Sequence, residues 1–127
     1  MALISINPAT SEEIKSYDEH SVSEINDILY KTKCAQQEWS LLELDFRLQC
    51  LNQISGILLD KKREYASIMA GEMGKPLAQG VGEIEKCAWL CDYYFQNAIH
   101  ILKPKNIETD YYKSFITFEP IGPILGI

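Results

Sequence analysis

Gly74-Lys75-Pro76 is the tightest constraint in the chain, because it ends one helical stripe and starts another. Glycine closes helices readily, since its backbone enters the left-handed region without steric cost. Proline suits the first turn of the next helix, where a missing N–H costs no intrahelical bond. Before the break, Tyr65, Ala66, Met69 and Met73 recur at helical spacing; after it, Leu77, Val81, Ile84, Ala88, Cys91, Tyr94 and Ala98 do the same. A helix-to-helix turn is predicted. The same residues argue against a phosphate loop: only two residues separate Gly71 from Gly74, and proline follows Lys75 where Ser or Thr is required. Gly71, Gly74, Gly80 and Gly82 do not form the GxGxxG dinucleotide fingerprint behind a strand.

Upstream, Ser21-Val22-Ser23-Glu24 has the form of a capping box, and Ile25, Ile28, Leu29, Thr32, Ala35 and Trp39 continue from it as a first helix. A second helical region begins near Asp45, whose carboxylate can cap free N–H groups, and carries Leu48, Leu51, Ser55 and Leu58 on one face. The charged cluster from Asp60 to Glu64 marks either a kink or a tight turn, and the pattern does not distinguish them. Ile4-Ser5-Ile6 and Ile14-Lys15-Ser16-Tyr17 alternate around Asn7-Pro8-Ala9-Thr10-Ser11, which predicts a small hairpin. Lys103-Pro104-Lys105 ends the helical part, and the aromatic and β-branched residues from Tyr111 to Glu119 predict a strand without a visible partner. Ile124 to Ile127 read as the start of a buried strand, so the chain is expected to be the front piece of something larger.

The 127 residues are 46% hydrophobic and 24% charged, in the range of a soluble domain. A net charge of −6, with no basic run beyond Lys61-Lys62-Arg63, argues against nucleic acid as a partner. No segment approaches the roughly 18 to 20 apolar residues of a membrane span. The N-terminus lacks the basic region of a signal peptide, so a cytoplasmic location is expected. Cys34, Cys50, Cys87 and Cys91 contain no CxxC pair, and all four are expected to behave as small buried hydrophobes. His20 and His100 lie in different elements, and Glu83 and Glu85 point to different helix faces. Neither set makes a catalytic constellation. No metal site is expected.

Taken in order, several landmarks resemble the N-terminal segment of the aldehyde dehydrogenase superfamily. They are Ile6-Asn7-Pro8-Ala9-Thr10, Trp39, Arg47, Glu72-Met73-Gly74-Lys75-Pro76, Glu83-Ile84, Tyr93-Tyr94 and Glu119-Pro120-Ile121-Gly122-Pro123. Leu90-Cys91-Asp92-Tyr93-Tyr94 and Glu83-x-x-Lys86 are most similar to the bacterial succinate-semialdehyde dehydrogenase branch. The resemblance implies an α/β fold of which residues 1–127 form the helix-rich front, with three long helical regions and short strands at both ends, incomplete as a domain.

Family enzymes oxidise an aldehyde to a carboxylic acid and pass hydride to NAD or NADP. They use a cysteine nucleophile, an asparagine-containing oxyanion site and a glutamate base. The family's Pro-Trp-Asn-Phe-Pro motif would follow directly after Ile127, and its nucleophile comes later still. By resemblance, then, none of the four cysteines is catalytic, no catalytic or cofactor-binding residue lies in this chain, and no cofactor is expected to bind it alone. The resemblance places the Tyr111–Glu119 strand in the homo-oligomer interface. It also sets Lys86 near the substrate entrance, where it would attract an anionic aldehyde. Three expectations follow: a truncated front segment that is inactive alone, a stand-alone module that binds an intact relative, or one half of a split enzyme completed by a separate C-terminal remainder.

Overall fold

A computed structural model describes residues 2–126. Its elements run β1 (Leu3–Ile6), β2 (Glu13–Tyr17), α1 (Val22–Leu41), α2 (Leu44–Asp60), α3 (Lys62–Met73), α4 (Leu77–Ile101), β3 (Lys105–Asn106) and β4 (Phe115–Ile116). The helix-rich architecture agrees with the sequence reading. The second helical region divides at Lys61, which sits outside helical geometry at φ −101° and ψ 11°, so the charged cluster is a turn between two helices.

Helix α4 is the spine. At 25 residues it extends about 37 Å, and both α2 and α3 pack along it. The buried residues at these contacts are Leu48 and Ser55 on α2, Ala66 on α3, and Gly80, Ala88 and Ala98 on α4. Most are small, so the helix backbones approach closely. A Cβ placed on Gly80 would lie 3.0 Å from the Ala66 Cβ and 3.2 Å from its Cα. Gly80 was absent from the predicted face. Of that face, Leu77 and Tyr94 are exposed, as is Met73 on α3.

Helix α1 starts as predicted. The Glu24 N–H donates to Ser21 Oγ at 3.3 Å, and the Ser21 N–H donates to Glu24 Oε2 at 2.7 Å, completing the capping box. Its apolar stripe, however, buries nothing. Asp45 does not cap α2: the N-cap residue is Glu43 and no side chain bonds there, so Asp45 only lends its charge to the first turn.

The predicted hairpin forms. β1 and β2 pair antiparallel from Leu3–Tyr17 to Ile6–Glu13, with a register shift between Ser5 and Ile6. Strand structure near the C-terminus is shorter than expected. Of Tyr111–Glu119 only Phe115–Ile116 is strand, and it has a partner, Lys105–Asn106. Residues 121–126 form no strand, and the reading at Ile127 falls outside the described residues. Aromatic and β-branched content favours a pleated surface only where neighbours supply packing, and here both segments are exposed.

Candidate functional site

The sequence landmarks converge on the turn between α3 and α4. Gly74 closes α3 at φ +68°, in the left-handed region, and its N–H donates to the Ala70 carbonyl at 3.0 Å. Pro76 is the N-cap of α4, one position earlier than predicted. The Asn7–Ser11 turn sits against this junction. Within that turn the Ala9 N–H donates to Asn7 Oδ1 at 2.9 Å, and the Ser11 N–H to the Asn7 carbonyl at 2.8 Å. Pro8 Cγ lies 3.1 Å from where a Gly74 Cβ would stand. Ser5 Oγ donates to Glu72 Oε1 at 3.0 Å, so the hairpin and the end of α3 are joined on both sides of the turn.

Two carboxylates that sequence reasoning separated prove to have separate partners. Glu83 pairs with Lys75 across the turn, and Glu85 accepts from Lys62 Nζ at 2.6 Å, tying α4 to α3. No sequence motif signals the Lys75–Glu83 pair; it exists because the turn folds Lys75 back beside α4. Lys75 is the less exposed member, its side chain 21% accessible against 51% for Glu83.

Lys86 is exposed on α4 and has no ion-pair partner among the described residues. It borders an open hollow of about 330 Å³ whose walls include Met69, Glu83, Cys87, Trp89 and Leu90. The four cysteines are free thiols, but none is fully buried: Cys34, Cys50 and Cys91 are half-buried and Cys87 is exposed. This corrects the expectation of four buried hydrophobes, because the flank of α4 that bears Cys87 has nothing packed over it. Burial pushes the Cys91 thiol above its ordinary value, and the neighbouring Cys87 and Asp92 add to the shift. A thiol so placed keeps its proton at neutral pH, the opposite of an activated nucleophile. Among the described residues, no group of three or more His, Cys, Asp or Glu side chains could hold a metal ion. No helix of the described residues is long and apolar enough to cross a membrane. Arg47 Nε is shielded from solvent without a hydrogen-bond partner among the described residues.

Residues 2–127 match the model of the aldehyde dehydrogenase family. The chain belongs to that family. It is 35% identical over its whole length to a protein of Synechocystis sp. named a probable NADP(+) succinate-semialdehyde dehydrogenase, of which it covers 28%. It is 32% identical, over 98% of its length, to the NAD(P)+ succinate semialdehyde dehydrogenase Sad of Escherichia coli, covering 27% of that protein. A crystal structure of succinic semialdehyde dehydrogenase from Streptococcus pyogenes with NADP+ superposes with a TM-score of 0.84 at 29% identity, over 90% of this chain and 25% of the other. The chain thus spans about a quarter of the length of the aldehyde dehydrogenases it matches.

The family implies a nicotinamide cofactor, but the turn around Gly74 does not fit one. The open side of Gly74 is filled by Pro8, and the Lys75 ammonium is engaged by Glu83.

Proposed function

We propose that this chain is the N-terminal segment of an NAD(P)-dependent aldehyde dehydrogenase that oxidises succinic semialdehyde to succinate. In this reading residues 1–127 precede the cofactor and catalytic motifs and contribute scaffold, so the chain alone is inactive. The observation that carries the reading is the match along 100% and 98% of the chain to two proteins named for this substrate. The joined hairpin and α3–α4 turn supply a preformed corner on which a larger body can be built. We also assign the Tyr111–Glu119 region to contact between subunits, in keeping with its exposed Tyr111, Phe115 and Phe118.

A chimera tests the reading: this segment replaces the matching segment of the Synechocystis relative. The expected result is reduction of NADP+ dependent on succinic semialdehyde in the chimera and none in the 127-residue chain. A soluble, folded chimera without activity would refute it. Supplying the remainder as a separate polypeptide distinguishes a split enzyme, which would regain activity without the covalent joint.

Within the chimera, Lys86 is proposed to stand at the substrate entrance, supported by its exposure and its lack of an ion-pair partner among the described residues. Lys86→Ala should raise KM for succinic semialdehyde several-fold, matching the upper end, about 1 kcal/mol, of what an exposed ion pair contributes. KM for a neutral aldehyde should stay unchanged. Equal changes for both substrates would remove Lys86 from this role.

A further inference from the structure

Cys87 and Cys91 lie one helical turn apart within α4, in a stretch that is helical on both sides. Residues four apart on a helix have their Cβ atoms about 5–6 Å from each other. A disulfide needs the Cβ atoms at about 3.5–4.5 Å. The two thiols therefore cannot bond to one another while α4 stays helical. A bridging atom changes the geometry, because it adds two long bonds between the sulfurs. Cys87 is exposed, and Cys91, one turn further along the same helix, is half-buried. The thioether of Met69 and the ring of Trp89 line the hollow that Cys87 also borders, giving a soft, polarisable wall.

We propose that Cys87 and Cys91 form a dithiol site for a soft thiophilic centre of the trivalent arsenical class. Thiolate sulfur is the ligand such centres prefer over oxygen or nitrogen. With phenylarsine oxide as the probe, the two S–H bonds and the As=O bond are replaced by two As–S bonds, and one water leaves. No oxidant or reductant is consumed. Cys34 and Cys50 lie on separate helices, α1 and α2, and are not paired in this way.

The test uses the reduced 127-residue chain with equimolar phenylarsine oxide and excess glutathione, read by intact-protein mass. One glutathione-resistant adduct per chain is expected, reversed by dithiothreitol, with α-helical circular dichroism retained. Cys87→Ser and Cys91→Ser should each weaken retention by about 100-fold, the advantage of a linked second ligand. Cys34→Ser with Cys50→Ser should leave it unchanged. A second readout needs no variant: the arsenical should protect Cys87 and Cys91, and not Cys34 or Cys50, from iodoacetamide. Glutathione-sensitive adducts only, or protection of a different pair, would overturn the assignment.

Discussion

Gly74 meets two demands at once. Its φ of +68° is a conformation that L side chains adopt at a cost of about 1–2 kcal/mol. Any Cβ there would also press on Pro8. Gly74→Ala is therefore expected to destabilise the chain by about 1–3 kcal/mol, read as a lower midpoint in urea unfolding. The capping box gives a residue-scale pH dependence. The Ser21 backbone N–H and then its hydroxyl hold the Glu24 carboxyl below its ordinary value. A depressed carboxylate favours folding above its unfolded pKa of about 4.3, and that contribution disappears as pH falls through the lower folded value. Acidification should accordingly fray the first turn of α1. Glu24→Gln, which has no titrating group there, should abolish this acid sensitivity, measured as amide exchange at Ile25 and Asn26, whereas Ser21→Ala, which keeps the backbone donor, should only reduce it.

At the scale of elements, α3 and α4 are held at their closest approach by Ala66 and Gly80. Replacing the glycine with a branched side chain must push backbone against backbone. Gly80→Val is expected to cost about 1–3 kcal/mol, visible in thermal melting, while Gly82→Val, where nothing lies within 4 Å and valine is the better helix former, should cost nothing. The helices were largely legible because their punctuation is local: Ser21 with Glu24, Gly74, Pro76 and Pro104 act on their own backbone neighbours. Gly80 was not legible, since a glycine inside an apolar stripe shows its packing role only when the opposing Ala66 is known. The strand at Tyr111–Glu119 was over-read for the related reason that strand propensity is realised by cross-strand neighbours. The Lys75–Glu83 pair was invisible because its spacing belongs to the turn rather than to a helix. The family was legible, since its landmarks are ordered along the whole chain.

At the scale of the molecule, apolar surface outweighs core. Among the described residues the buried hydrophobic side chains are Leu48, Ala66, Ala88 and Ala98, whereas Trp39 is 43% exposed, Trp89 61% and Ile121 89%. So many exposed large apolar side chains against so small a core favour association. The 127-residue chain should self-associate with rising concentration and bind a hydrophobic dye, both measured beside the chimera, in which dye binding should fall. A monodisperse chain with no dye binding would instead favour the stand-alone module.

The turn at Gly74 also sets an order of assembly. Helices α3 and α4 are neighbours in sequence, so the loop that closes when Ala66 meets Gly80 is short and its entropy cost small. Helix α2 reaches α4 only across the whole of α3, and closes a longer loop. Low sequence separation favours early contact. Among the helices, the α3–α4 hairpin is then the first pair able to form, and α2 is drawn onto a spine that already exists.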